Sequence, residues 1–90
     1  MEIGAKSTST LVVTEQLTAA VMGSGDLPVL ATPAMIALME NAAMMSVAEA
    51  LPEDQTTVGS LMNASHLKPT AVGDTVVATA TLVAAEGRKL

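Results

Sequence analysis

The sequence predicts a single α+β domain in which an antiparallel sheet wraps around one long helix. This prediction rests on an apolar helical stretch in the middle of the chain, a Thr- and Val-rich segment before it, and a segment of alternating side chains after it. Ninety residues fit one domain, residues 1–90, and a domain of this size buries only a thin core. We therefore expect the domain to associate with a partner.

The first predicted elements are a strand, a helical turn and a loop. Residues 7–14 are rich in Thr, Leu and Val, which favour extended structure. Thr14 is placed to cap a short helical turn that follows it. Residues 23–28 read Gly-Ser-Gly-Asp-Leu-Pro, and this concentration of turn-forming residues predicts a loop.

The long helix has well-marked ends. A threonine at position 32 can accept a hydrogen bond from an unpaired backbone N–H, and Pro33 lacks the donor that would go unused in a first helical turn. The helix is predicted to run from Pro33 to about Leu51, where Pro52 ends it. Apolar residues occupy nearly every face of this stretch, which is typical of a helix enclosed by other structure.

Two more strands are predicted after the helix. Residues 56–67 are compatible with a strand but alternate poorly, whereas residues 75–84 alternate well and place four apolar side chains on one face: Val76, Ala78, Ala80 and Leu82. Pro69 and the Gly73-Asp74 pair lie between them and favour a turn. The simplest connection is an antiparallel hairpin between these two segments.

Composition excludes several kinds of site and partner. The chain has no cysteine and one histidine, so disulfides, thiolate nucleophiles and Cys- or multi-His metal sites within one chain are excluded, and no metal site is predicted. A net charge of −5 and the lack of aromatic rings argue against nucleic acid as a partner. No apolar run approaches the ~20 residues of a membrane span, and residues 1–10 lack a secretory signal, so we expect a cytoplasmic location.

Glu40 is chemically out of place in the predicted helix. Its neighbours at three and four positions are all apolar: Ile36, Ala37, Ala43 and Met44. An unpaired buried carboxylate costs several kcal/mol, so this one must reach solvent, accept a backbone hydrogen bond, or face a polar cavity. A structural role and a functional role are about equally compatible with the helix alone.

Three other residues have both a structural and a chemical reading. Thr32 is most simply a helix N-cap, although its hydroxyl would also lie at the positive end of the helix dipole, where an oxyanion or an attacking water is favoured. His66 is either a structural or surface histidine or a group that exchanges protons near neutral pH. Gly59 either marks a bulge in a strand or permits close approach of a ligand.

These residues occur in a familiar order. The segments Ala-Thr-Pro-Ala-Met-Ile-Ala-Leu-Met-Glu (31–40), Thr-Val-Gly (57–59) and Ser-His (65–66) resemble the hot-dog thioesterases related to fluoroacetyl-CoA thioesterase, and the similarity extends from about Val12 to Leu90. The resemblance implies a hot-dog fold, with a curved antiparallel sheet around a long central helix. It also implies a homodimer or a dimer of dimers whose active sites lie at the subunit interface.

The activity that the resemblance implies is hydrolysis of small acyl-CoA thioesters to a free acid and CoA. Glu40 would be the nucleophile or the base for water, His66 the proton donor and acceptor, and Thr32 the residue that positions water or the carbonyl. Gly59, Pro33 and Ser65 would lie beside the substrate. No cofactor is implied, because CoA is part of the substrate. The alternatives are a non-catalytic acyl-CoA or acyl-carrier binding module, or another hot-dog chemistry such as acyl transfer or dehydration.

The sequence departs from this family pattern in two places. Residues 23–30 contain no aromatic residue, unlike the lid segment of the fluoroacetyl-specific enzyme, so we do not expect fluoroacetyl-CoA as the substrate. Family members also continue past the position of Leu90 into further strands. We therefore expect a hot-dog sheet without its C-terminal strands, and the activity of the 90 residues alone is left open.

Overall fold

A computed structural model describes residues 1–90 as two strands and one long helix joined by turns and irregular segments. Helical turns of the 3₁₀ type cover Glu15–Leu17 and Ala48–Ala50. The regular elements, in chain order, are β1 (Lys6–Val12), the short helix α1 (Ala19–Met22), the long helix α2 (Thr32–Val47) and β2 (Thr75–Thr81). This is the α+β composition that the sequence predicts.

Strands β1 and β2 form a two-stranded antiparallel sheet, with Ser9 opposite Ala78. Side chains alternate along both strands between a half-buried face and an exposed face. The half-buried face of β2 carries the apolar residues predicted to share it, and Leu82 just beyond the strand is buried. On the exposed face, the hydroxyls of Thr8 and Thr79 lie 3.2 Å apart across the strands.

The predicted hairpin between residues 56–67 and 75–84 is wrong. Residues 56–67 form no strand and make no backbone hydrogen bond within the chain, and β2 pairs with β1 instead. The physical reason is the pattern of side chains: β1 and β2 both alternate and can bury one face together, whereas residues 56–67 offer no apolar face to a sheet. The connection into β2 is bound to residues before α2, because the N–H of Leu30 donates to the carbonyl of Thr70 at 2.8 Å.

Helix α2 packs against the sheet along one side only. Ala34 and Ala42 are buried on that side, whereas Ala37 and Met45 are exposed. The prediction of a helix enclosed by other structure is therefore wrong for this chain by itself, since two strands cover only one face of a helix. At the edge of this contact, the Ser9 hydroxyl donates to the Asn41 side-chain oxygen at 2.6 Å.

The ends of the helical elements differ in detail from the predictions. The N-cap position of α2 is held by Ala31, so the predicted capping role of Thr32 is wrong and Thr32 is the first helical residue. The α-helix ends at Val47, and the 3₁₀ turn continues helical structure almost to the predicted end. Near the N-terminus the predicted helical turn is present, but Thr14 makes no capping hydrogen bond; Thr18 caps α1 by accepting from the Val21 N–H at 3.3 Å.

The small core lies under the start of α2. Only eight of the 90 residues are buried, and four of them form one cluster: Val13, Leu30, Ala31 and Ala34. This cluster joins the end of β1, the segment entering α2 and the first turn of the helix. The packing therefore fixes the N-terminus of α2 more firmly than any other point of the helix. No helix is long and apolar enough to cross a bilayer.

Candidate active site

Thr32 and His66 are in direct contact at the start of α2. The Thr32 Oγ1 and the His66 Nδ1 are 2.8 Å apart, a hydrogen bond whose donor depends on the imidazole tautomer. Thr32 is exposed and His66 is half-buried, so the pair borders solvent without being fully surrounded by it. The hydroxyl is available for this contact because Ala31, not Thr32, occupies the cap of the helix.

Backbone contacts hold both partners of this pair in place. On the helix side, Ala31 is fully buried and its N–H donates to the Leu17 carbonyl at 2.8 Å. On the histidine side, the chain a few residues after His66 is bound at Thr70 to the segment entering α2. The small core thus fixes the start of α2 directly, and on the histidine side it is joined to the chain at Thr70, four residues after His66.

Glu40 lies about two turns further along α2, roughly 12 Å along the helix axis from Thr32. Thr32, Ile36 and Glu40 are four residues apart and therefore share one stripe of the helix surface. Glu40 is half-buried, and its carboxylate lies directly against Gly59, where a Cβ atom would overlap with Oε2. Any other residue at position 59 would therefore displace the Glu40 carboxylate.

Residues 59–66 run along α2 in the opposite direction to the helix. Gly59 lies beside Glu40, and His66 lies beside Thr32, so the segment follows the polar stripe of the helix from its middle to its start. Glu40 makes no hydrogen bond to Thr32 or to His66. The structure therefore brings the predicted site residues together as two contacts on one stripe, not as one hydrogen-bonded triad.

A cleft of about 250 Å³ opens beside the Thr32–His66 pair. Besides Thr32 and His66, Pro69 and one residue of α1, Ala19, line it. The loop that precedes α2 provides the other lining residues: Ser24, Gly25, Asp26, Leu27, Val29 and Leu30. Glu40 and Gly59 do not line this cleft. A larger cleft of about 470 Å³ lies between residues 55–57 and the two ends of the chain, and it contains none of the predicted site residues.

Pro33 and Ser65, predicted to lie beside the substrate, are both exposed and make no side-chain hydrogen bond. They adjoin Thr32 and His66 in the chain but do not line the cleft. Asp26 lines the cleft although it is not among the residues that the sequence predicts for the site. Asp26 occurs among turn-forming residues, and this context predicts a loop without indicating that the loop faces the site.

The charges of the cleft are uneven. Asp26 is its only carboxylate, and no lysine or arginine lines it. The structure contains no group of three or more His, Cys, Asp or Glu side chains placed to hold a metal ion. The chemistry that these residues themselves offer is a hydroxyl bonded to an imidazole at the N-terminus of a helix, with a carboxylate two turns away.

A family comparison and a comparison with solved structures both identify the same protein family. The sequence matches the FlK family, the fluoroacetyl-CoA-specific thioesterases, over residues 13–90. A comparison with curated protein sequences gives no match. Among solved structures, a phenylalanine-to-alanine variant of FlK in complex with fluoroacetate and CoA matches with a TM-score of 0.89 and 30% sequence identity, covering 98% of this chain and 75% of that one.

Two further FlK crystal structures match nearly as well. A threonine-to-alanine variant in complex with fluoroacetate has a TM-score of 0.88 and 29% identity, covering 98% of this chain and 71% of that one. A structure of the fluoroacetyl-CoA thioesterase FlK, solved to explain its activity and substrate specificity, has a TM-score of 0.86 and 30% identity. The match covers 97% of this chain and 69% of that one. The chain therefore belongs to the FlK family of thioesterases and has their hot-dog fold.

Proposed function

We propose that this chain hydrolyses small acyl-CoA thioesters to a free acid and CoA. The observation that carries the proposal is the 2.8 Å contact between Thr32 Oγ1 and His66 Nδ1 at the edge of a cleft of about 250 Å³. Membership of a thioesterase family supports it. In the reaction a water oxygen bonds to the acyl carbon, the carbon–sulfur bond breaks, and the sulfur leaves as the thiol of CoA once it gains a proton.

His66 is the proton-transfer residue in this proposal. The contact through Nδ1 fixes the orientation of the ring and leaves Nε2 free to exchange a proton with water or with the leaving sulfur. A positioned acid or base of this kind contributes about 10²–10⁴-fold in rate. Thr32 therefore acts partly through His66, because its hydroxyl fixes the direction of the imidazole.

Thr32 also has a direct role in the proposal. It is the first residue of α2, where the aligned peptide dipoles of the helix leave a partial positive charge. Negative charge develops on the carbonyl oxygen when water attacks a thioester, and donors placed at that position lower the barrier. The Thr32 hydroxyl is the donor that this end of α2 offers to the cleft, because Pro33 has no N–H and the N–H groups of Ala34 and Met35 donate to the Ala31 carbonyl.

Glu40 is proposed as the nucleophile or as the base that activates water, with the Gly59 N–H beside it as a donor to the thioester carbonyl. The contact between the Glu40 carboxylate and Gly59 supports this placement. A thioester lying along the stripe from Thr32 to Glu40 would meet both groups. No metal or cofactor takes part in the proposal, and Pro33 and Ser65 are proposed to border the substrate.

A homodimer, or a dimer of such dimers, is part of the proposal. Residues 56–67 have no backbone hydrogen bonds within the chain. Val58, Leu61 and Leu67 of this segment are each 86–87% exposed, which is a large apolar exposure for one short segment. A second copy of the chain would provide both hydrogen-bond partners and apolar cover. A cytoplasmic location is also part of the proposal.

Release of free thiol from a panel of short acyl-CoA substrates tests the proposed hydrolysis. We expect H66A, E40A and T32A each to lower kcat/KM, by about 10²–10⁴-fold for H66A and E40A. The matched control is Thr8→Ala, which removes a threonine hydroxyl from the exposed face of the sheet and should leave the rate unchanged. Robust hydrolysis that is unaffected by H66A and E40A would show that these residues do not carry the reaction.

A non-catalytic acyl-CoA binding module is the second candidate. The observation that favours it is that Glu40 lies apart from the Thr32–His66 pair and makes no hydrogen bond to it. Calorimetric titration with acyl-CoA distinguishes the two. Tight binding without thiol release over hours, and with no loss of binding in E40A, would favour the binding module.

A further inference from the structure

The loop beside the candidate active site has a fixed position. The Leu27 carbonyl accepts a hydrogen bond from the Ala20 N–H at 3.1 Å, and the Val29 carbonyl accepts one from the Ala19 N–H at 2.8 Å. The Ser24 N–H donates to the Ala19 carbonyl at 3.1 Å. Hydrogen bonds to α1 therefore flank Asp26 on both sides in the chain, and they hold the loop at the rim of the cleft.

Asp26 is the only acidic side chain that lines this cleft. It lines the same cleft as Thr32 and His66, and neither a lysine nor an arginine does so. Asp26 is exposed and makes no side-chain hydrogen bond or ion pair, so no partner within the chain neutralises it. An acyl group bound next to the Thr32–His66 pair would lie in the electrostatic field of this carboxylate.

We propose that Asp26 is a specificity-determining residue that selects against acyl groups with a negative charge and in favour of neutral or cationic short acyl groups. The inference rests on the proposed thioesterase function and deepens it by naming the substrate class. A terminal carboxylate on the acyl chain, as in a dicarboxylic acyl-CoA, would be repelled by Asp26, and no lysine or arginine lines the cleft to offset this repulsion. A neutral chain would not be repelled, and a terminal ammonium would be attracted.

The test compares substrates of similar size and different charge. The probes are butyryl-CoA, succinyl-CoA and β-alanyl-CoA, whose acyl groups are neutral, anionic and cationic. We expect wild-type kcat/KM to fall in the order β-alanyl-CoA, butyryl-CoA, succinyl-CoA. Asp26→Asn should raise the succinyl-to-butyryl ratio by roughly 3- to 10-fold, the size that repulsion between two unit charges gives across several ångströms in a water-exposed cleft, and should lower the β-alanyl-to-butyryl ratio.

Asp54→Asn is the matched control, because it makes the same change in net charge at an exposed position outside the cleft. Its substrate ratios should equal those of the wild type. Equal ratios in D26N and the wild type would overturn the inference, and so would equal changes in D26N and D54N, since the effect would then come from net charge.

The inference and the proposed function fail in different ways. If the chain hydrolyses butyryl-CoA and H66A abolishes this, but D26N leaves the substrate ratios unchanged, only the inference fails. If no substrate is hydrolysed, the proposed function fails, and dissociation constants for the same three CoA esters then test Asp26 directly. If D26N tightens succinyl-CoA binding relative to butyryl-CoA binding by roughly 3- to 10-fold, the result supports the charge selection. If D26N leaves the ratio of the two dissociation constants unchanged, the inference is overturned.

Discussion

The two ends of the segment from residue 56 to residue 71 are held very differently. At the end near α2's first turn, His66 bonds to Thr32, and Thr70 and Ala71 pair with residues 29–30 above the buried cluster. At the other end, residues 56–62 make no backbone hydrogen bond, and the Glu40 side chain lies against Gly59. One half of the candidate site is therefore held by backbone hydrogen bonds within the chain, while the other half has none.

The same substitution in the two regions should have very different effects on stability. Leu30 is buried and Leu61 is 86% exposed. Leu30→Ala should lower the free energy of unfolding by about 2–4 kcal/mol, because it leaves a cavity in a very small core. Leu61→Ala should change it by less than about 0.5 kcal/mol at concentrations where the chain is monomeric. Urea denaturation measures both, and equal losses would show that the two regions are equally well packed.

Gly59→Ala tests whether the contact with Glu40 matters to the reaction. The added Cβ would overlap with the carboxylate, so Glu40 must move, and a displacement of about 1 Å can cost up to about 10²-fold in rate. We expect kcat/KM to fall by about 10- to 100-fold while urea denaturation shows little change. Ser60→Ala, at the exposed neighbouring position, is the control. A rate equal to the wild type in G59A would mean that the position of this carboxylate is not critical.

Leu61→Asp tests whether a second copy covers the less well-held end. A charge in an apolar interface between two copies of residues 56–67 should raise the dimer dissociation constant about tenfold or more. Analytical ultracentrifugation of wild type and variant measures this change, and Gln16→Asp is the control, because it adds the same single negative charge at an exposed position outside the segment. A dimer that L61D leaves intact would place the subunit interface on another surface of the chain.

Local signals in the sequence predicted the elements that local forces determine. The start of α2 at Thr32-Pro33 and the alternation of β2 were confirmed, because proline's preference for the first helical turn and a two-residue period both act within a few residues. The hairpin was wrong because strand pairing is decided between distant segments, and the alternating partner of β2 lies near the other end of the chain. Pattern alone cannot choose between a near, poorly alternating segment and a far, well-matched one.

The site could be predicted only in part. The order of Thr32, Glu40 and His66 is visible in the sequence through its resemblance to a family, but their arrangement as two separate contacts depends on the path of residues 59–66 along α2. Asp26 had no signal at all, since a turn-forming context says nothing about which way the loop faces. The predicted roles of the site residues stay predictions until the variants are measured.

The cap of α2 shows how stability and chemistry compete for one hydroxyl. A side-chain cap contributes about 0.5–2 kcal/mol to a helix, and this helix begins at a buried alanine that provides none. Thr32, one residue too late to act as the cap, has its hydroxyl on His66 instead. Selection for a more stable fold alone would favour a hydroxyl side chain at position 31 instead of position 32. The helix would then be more stable, but the contact with the His66 imidazole would be lost. An engineer who stabilises this protein should therefore leave the start of α2 unchanged and improve other positions.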